Sequence, residues 1–295
     1  MNENFTKSGF FLVDKPIGMT SSDVVIKIKK KFSISRIGHT GTLDKFATGL
    51  LILPFGKATS FADKFLHSDK TYEATASFGK STDSGDIDGI ITEEWDEDAI
   101  KEYYSKNSPK ILSSFEDILN WEKQTAPKIS ALKVNGKRQA ELFRKNISFE
   151  TKERNIKITN FKLTQFNEKE ICFQVRVSSG TYIRKLIIDL SEKLNFPMHL
   201  TDLRRLSIGK ISIDNAKTLE FFLEGNIEFQ SIEPMIDLPK IKVNKETVKA
   251  IKHGINAIES NITSSEFLLL DENENLIAWM ENKGEGSYKF KRVFV

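Results

Sequence analysis

Two stretches far apart in the chain alternate strictly between apolar and polar residues, and they constrain the fold more than any other feature. Tyr72, Ala74, Ala76 and Phe78 interleave with Thr71, Glu73, Thr75 and Ser77. Ile171, Phe173, Val175 and Val177 interleave with Cys172, Gln174, Arg176 and Ser178. A period of two is that of a half-buried strand. Gly180 breaks the second run, and Ile183, Leu186, Ile187, Leu190 and Leu194 then mark one stripe of a helix. Earlier, a short apolar strand over residues 9–13 ends at Pro16 and Gly18. Ser21, Ser22 and Asp23 offer N-caps to a following helix that carries Val24, Val25, Ile28 and Phe32, with Lys27, Lys30 and Lys31 on its outer face. Helices and strands are interspersed without the regular alternation of a doubly wound fold. The expectation is an α+β protein whose core is a mixed, largely antiparallel sheet with flanking helices.

Near residues 234–239 the character changes. The remainder reads as a helix over 245–253 stopped by Gly254, then strands around 267–270, 276–280 and 288–295 separated by polar turns. The expected division of the 295 residues is therefore a large unit, 1–238, and a small β-rich one, 239–295. Hydrophobic residues at 39% and charged residues at 29% exclude a wholly disordered chain. The longest apolar stretch, GLLILPF at 49–55, is far short of the roughly 20 residues of a membrane span. The first residues lack the pattern of a signal peptide. The single cysteine, Cys172, excludes an intramolecular disulfide, and the four histidines stand at no metal-ligand spacing. A cytoplasmic protein without membrane contact or metal is expected.

The net charge, 44 − 41 = +3, hides two unlike blocks. Residues 124–157 hold nine basic side chains (Lys128, Lys133, Lys137, Arg138, Arg144, Lys145, Lys152, Arg154 and Lys157) against three acidic ones, a local +6. Residues 83–102 hold nine acidic side chains against Lys101. Taken alone, each block reads first as solvated surface; the basic one is also a candidate polyanion contact.

The densest polar segment is GHTGTLDKFATGLL at 38–51, a glycine- and threonine-rich loop running into an apolar strand. Glycines allow a ligand to approach the backbone closely. Taken alone, Asp44 reads first as a turn aspartate bonding its own backbone and second as an exposed, positioned carboxylate, and His39 as a structural histidine. The spacing is not that of a Walker phosphate loop. STDSGDIDG at 81–89 has calcium-loop residues, yet placing Gly89 sixth puts Trp95 where the bidentate glutamate belongs, so a turn-rich polar loop is expected instead.

GHTGTLDKFATGLL resembles the signature loop of the bacterial-type tRNA pseudouridine-55 synthases. Four further segments agree in order: FLVDKPIGMTS (11–21), DKTYEATASFGKSTDSGDIDG (69–89), APKISALKVNGKR (126–138) and SSGTYIRKLIIDL (178–190), the last continuing to LRRLSIG (203–209). The similarity covers about the first 210 residues, and the C-terminal segment resembles a small RNA-binding PUA-type domain. The resemblance implies isomerisation of uridine 55 in the tRNA T-loop: uracil detaches from C1′, turns and rejoins through C5. No atom is lost and no redox change occurs, so no cofactor is implied. What the chemistry needs is a carboxylate able to attack the sugar or base, or to stabilise charge developing at C1′.

By the same resemblance Asp44 is that carboxylate, Arg184 the cation placed against it, and Tyr72 the tyrosine that stacks on the target base and helps move a proton. Tyr182 and Leu203 match other pocket positions, though at strand and helix spacing both also read as core. His39 matches the histidine that contacts the loop around the extruded base, and Lys15 lies at or near the site. The +6 block coincides with an inserted thumb, about 122–157, that closes on RNA through Lys128, Lys133, Lys137 and Arg138. The implied partner is tRNA, with no obligate protein partner and a monomer expected. The chain departs from the family at Lys45, where proline is usual, so that its loop is expected to be less rigid, and at Ala140, where tyrosine is common. Two alternatives stay open at this level: a non-catalytic tRNA-binding or tRNA-folding factor using the same pocket, and a synthase for another RNA uridine.

Overall fold

In the computed structural model, residues 7–127, 151–255, 262–284 and 286–295 are described, with residue 147 and the backbone of 133–134 and 137–138. The expected strand near the start is β1 (Gly9–Lys15), and the helix is α1 (Ser21–Lys31). The helix cap is Thr20, one residue before the three that the sequence offered. Its hydroxyl accepts from Asp23 N–H while the Asp23 carboxylate accepts from Thr20 N–H, a reciprocal box that settles the first turn. Ser21 is thereby released, and its hydroxyl accepts from the Leu43 N–H at 2.8 Å instead.

The apolar run after the glycine-rich loop is β2 (Thr48–Phe55), and the two alternating stretches are β3 (Lys70–Phe78) and β5 (Glu170–Val177). Between them lie α2 (Glu97–Asp117) and β4 (Ile158–Phe166). α2 begins inside the acidic block: the Asp96 side chain accepts from Ala99 N–H, and Glu97 and Asp98 occupy the first turn. Negative charge at a helix N-terminus is favourable, so part of that block is helix-start chemistry. After β5 come α3 (Ile183–Leu194), β6 (Met198–Ile208), β7 (Ile211–Ser212) and β8 (Lys217–Thr218).

These strands form one sheet in the order β4-β5-β3-β6-β2-β1-β8, with β7 paired to β6. Only β6 with β2 and β1 with β8 run parallel. The largely antiparallel α+β core read from the sequence is the observed one. The apolar stripe of α3, including Leu186, Ile187 and Leu190, packs with Ile111 and Phe115 of α2 on Ile171, Phe173 and Val175 of the sheet. Each such fully buried side chain contributes about 1.5–3 kcal/mol. α1 covers another part through Val24 and Ile28 on Phe11, Val13, Leu51 and Leu53.

The C-terminal residues form a four-stranded sheet of β9 (Lys240–Lys242), β10 (Glu266–Leu270), β11 (Leu276–Gly284) and β12 (Ser287–Val293), with helix α4 (Lys245–Lys252). Leu268, Leu270 and Trp279 pack against Phe10, Leu50, Ile52 and Phe61 of the larger unit, and the Phe61 and Trp279 rings stack at 4.6 Å. No helix among the described residues is long and apolar enough to cross a membrane.

Where β2 meets β6 the backbones nearly touch. Gly49 has φ +105°, and a Cβ there would lie 2.4 Å from the Arg205 carbonyl oxygen and 2.6 Å from its nitrogen. Both the left-handed backbone and the backbone collision penalise any side chain. Gly49→Ala is therefore expected to cost about 3 kcal/mol of unfolding free energy, measured by denaturant titration. A stability within 1 kcal/mol of the unchanged protein, about the size of an ordinary surface change, would contradict this account.

Candidate active site

The loop that carries Asp44 is pinned from several sides. Gly38 and Thr40 donate backbone N–H groups to Pro54 and Ile52, and Gly18 N–H reaches the Lys45 carbonyl at 2.9 Å. Leu43 and Phe46 bury their side chains in the main core, at 4% and 3% exposure. Anchoring the neighbours of Asp44 leaves its carboxylate at the edge of the core, half-exposed. Lys45 itself points to solvent while its carbonyl is held, so the loop is fixed here without a proline ring.

Arg184 meets that carboxylate as a fork. Nε donates to Asp44 Oδ2 at 2.9 Å and Nη2 to Oδ1 at 3.1 Å, while Nη1 donates to the Ser84 carbonyl at 2.9 Å. Two parallel charge-assisted bonds fix both the distance and the plane of the carboxylate. A second carboxylate, Asp86 Oδ2, lies 3.3 Å from Arg184 Nε; Arg184 and Asp86 are both buried, at 4% and 7% side-chain exposure. Asp86 accepts from the Ser84 hydroxyl and the Asp88 N–H. Burial pushes its carboxyl above the usual range, with the Asp44 charge adding, although Ser84 and Arg184 oppose the rise. Gly85 makes this possible: at φ +74° its turn presses against α3, where a Cβ would lie 2.7 Å from Ile188 and 3.2 Å from the Arg184 carbonyl. The segment expected as a turn-rich polar loop sends one aspartate inward. Among the described residues no group of three or more His, Cys, Asp or Glu could hold a metal ion.

A cavity of about 550 Å³ opens at this point. Asp44, Tyr72, Tyr182, Arg184 and Leu203 all line it, together with Lys70, Arg154, Val177 and Arg205. The sheet explains the grouping, because Tyr72 pairs with Arg205 and with Val175 while Ala74 pairs with Leu203. One face of three neighbouring strands thus forms the floor. Leu203 is also a core residue, at 5% exposure, so both readings of it hold. Tyr182 starts α3 without a cap of its own; Gln124, buried at 3%, supplies one by accepting from Tyr182 N–H at 2.9 Å and donating to its carbonyl at 3.1 Å. The Arg154 guanidinium sits 5.6 Å from the Tyr182 ring centroid.

His39 and Lys15 stand beside the cavity and do not line it. His39 Nδ1 is buried without a hydrogen-bond partner, and burial, reinforced by Arg205, holds the imidazole below its usual range. Lys15 is wholly buried and donates to the carbonyls of Pro16, Met19 and Lys45, which ties β1 to the loop. Lys128 lies outside the described residues, as do the side chains of Lys133, Lys137 and Arg138, whose backbones form a two-residue antiparallel pair. Asp86, Lys70, Gln124 and Arg205 were not singled out from the sequence. Each sits in or beside a quoted motif, but burial of a charged side chain leaves no local pattern.

Lys15 and Lys70 share a pH signature. Burial lowers each amine from 10.5 to about 8, with Arg205 adding to the fall and Asp44 and Asp23 opposing it at Lys15 and Asp69 at Lys70. In the unfolded chain both keep their protons up to about 10.5, so between pH 8 and 10.5 unfolding takes up protons and stability rises with pH. Below pH 8 both are charged in either state and the gain is lost. Urea titrations should show the protein gaining stability from about pH 8 to about pH 10 relative to a Lys15→Met, Lys70→Met double variant; parallel pH profiles would refute the assignment.

Comparison with known proteins agrees with this geometry. Residues 29–183 match the family described as TruB family pseudouridylate synthase (N terminal domain). The chain is 42% identical over 293 residues to a tRNA pseudouridine synthase B of Leptospira interrogans serogroup Icterohaemorrhagiae serovar copenhageni, covering 98% of this chain and 95% of that protein. It is 35% identical over 297 residues to the protein of the same description from Aquifex aeolicus, covering 97% and 99%. Among solved structures, an archaeal box H/ACA sRNP Nop10–Cbf5 complex contains a chain that superposes with a TM-score of 0.63 at 22% identity, over 98% of this chain and 87% of that one, a likeness of fold. With a matched segment that runs from α1 to the start of α3 and relatives aligned along nearly its whole length, the chain belongs to the TruB family of pseudouridylate synthases.

Proposed function

We propose that this protein isomerises uridine to pseudouridine in tRNA, at position 55 of the T-loop, with Asp44 as the essential carboxylate. The observation that carries the reading is the forked ion pair: a half-exposed carboxylate held by a buried guanidinium at the mouth of a cavity floored by Tyr72 and Leu203. The cavity is of nucleoside size. A uridine in a folded loop reaches it only by leaving its stack, and Tyr72 and Leu203 offer the flipped base an aromatic and an apolar surface that offset the lost stacking. Asp44 then faces the ribose and the C1′–N1 bond. The guanidinium orients both carboxylate oxygens, so little reorganisation is needed when positive charge develops at C1′ or a bond forms there. Tyr72 supplies a hydroxyl for moving a proton, and Tyr182 and His39 shape the site around the extruded base.

In this reading residues 1–238 are the catalytic unit, with a thumb at about 122–157, and 239–295 are a small PUA-like RNA-binding domain. RNA loops are recognised by shape, stacking and backbone contacts, which suits the basic side chains of the thumb. On the same reading the enzyme acts as a monomer in the cytoplasm.

Asp44→Asn should fold and bind tRNA yet form no pseudouridine, assayed by tritium release from tRNA labelled at uridine C5 and by mapping pseudouridine along the product. Substantial residual conversion overturns the role of Asp44, and a product modified elsewhere overturns the position. Charge reversal at Lys133, Lys137 and Arg138 should weaken tRNA binding and flatten its salt dependence by about one unit of slope for each phosphate that is no longer neutralised. An unchanged slope would return that segment to solvated surface.

A further inference from the structure

Among the described residues Arg205 is the largest side chain that the fold buries almost completely, at 1% exposure, and it lines the cavity. Nε donates to the Leu50 carbonyl at 2.8 Å and Nη2 to the Gly41 carbonyl at 3.2 Å. Among the described residues no carboxylate lies within salt-bridge distance of it. That sets it apart from Arg184, which faces two. Carbonyl dipoles compensate a buried cation only in part, and an unpaired buried charge is costly to keep. Buried charge of this kind clusters at functional sites. The group opposite is Tyr72. The two residues are direct cross-strand partners of β3 and β6, beside a register shift between Arg205 and Ser207, and the Tyr72 side chain interacts with the guanidinium. Bulges re-aim side chains at such places.

The geometry points to Arg205 as a positioning residue that acts through Tyr72, holding its hydroxyl toward the base and stabilising it as a phenolate midway through the isomerisation. This rests on the reaction proposed above. As the C1′–N1 bond breaks, the Tyr72 hydroxyl gives its proton to N1 and becomes a phenolate beside Arg205. After uracil turns and the C1′–C5 bond forms, the phenolate takes the proton from C5 and is restored. One proton has moved from C5 to N1, and nothing is oxidised or reduced. The absence of a carboxylate beside Arg205 among the described residues suits this role: a permanent counter-ion would cancel the field that the transient anion needs.

The test compares Arg205→Lys, which keeps the charge and loses the fork, with Arg205→Met, which keeps much of the volume and loses the charge. Single-turnover tritium release from C5-labelled tRNA and tRNA binding are both measured. Arg205→Lys should retain the rate within about tenfold and Arg205→Met should lose about 100-fold or more, with tRNA affinity unchanged within about twofold for both. In a Tyr72→Phe background followed over long incubations, Arg205→Met should cost no more than about threefold further. If Lys and Met lose rate equally, if Arg205→Met runs at the full rate, or if its penalty is the same with Phe at position 72, Arg205 merely clamps the Gly41 loop and the proposal falls. Where Arg205→Met does not fold, Arg205→Gln, neutral but able to reach the Leu50 carbonyl, carries the same comparison. Where Tyr72→Phe has no measurable turnover, the Lys and neutral variants decide alone. An unsubstituted protein that releases no tritium refutes the proposed function instead, so the two failures are distinguishable.

Discussion

One guanidinium between two carboxylates organises this molecule. Arg184 is buried at the start of α3, and its donors reach Asp44 from the loop before β2 and both Ser84 and Asp86 from the turn after β3. Those three segments are distant in sequence and meet here. Neither carboxylate could stand where it does without the cation, since they would repel one another in a poorly solvated place. The arrangement is asymmetric: Asp44 takes the fork and faces the cavity, whereas Asp86 has one longer approach to Nε, two local donors and almost no water. One aspartate is presented, and the other backs the residue that presents it.

The surroundings of this trio are arranged by the sheet. β3 and β6 set Tyr72, Ala74, Leu203 and Arg205 on one face, and β2 passes close enough for its glycine to touch the β6 backbone. Three buried cations, Lys15, Lys70 and Arg205, are held by main-chain carbonyls instead of carboxylates. The local potential of the site is thus set by backbone dipoles and buried charge, and the near-zero net charge of the chain says nothing about it.

What the sequence disclosed follows from what is local. The alternation in β3 and β5 and the stripe of α3 are periodic patterns within single elements, so strand, helix and the antiparallel core were legible. The glycine- and threonine-rich loop was conspicuous by composition, and its resemblance to a known signature pointed to Asp44, Tyr72, Tyr182, Arg184 and Leu203, which all line one cavity. What stayed hidden depends on tertiary placement. Asp86 looked like one more charge in an acidic run because its burial requires the Gly85 turn to press on Ile188, far along the chain. Lys70 and Arg205 carry no local sign of their burial, since most such residues are exposed. Even the cap of α1 shifted to Thr20 because Ser21 was needed by the Leu43 amide, a partner in another loop.

The order in which the sheet is strung has a consequence for biosynthesis. Its central strand, β6, is the sixth of the eight in chain order, yet it lies between β3 and β2 and supplies Leu203 and Arg205 to the cavity. Until it inserts, β2 and β3 have no common neighbour and the Gly41 carbonyl lacks its Arg205 donor. On a ribosome, chains that emerge from the N-terminus can pair β1 with β2 early, but the two halves of the site stay apart until β6 is out. Such long-range closure is intrinsically slow. The complete cavity therefore arrives late, and a piece of the chain ending before β6 lacks Leu203 and Arg205.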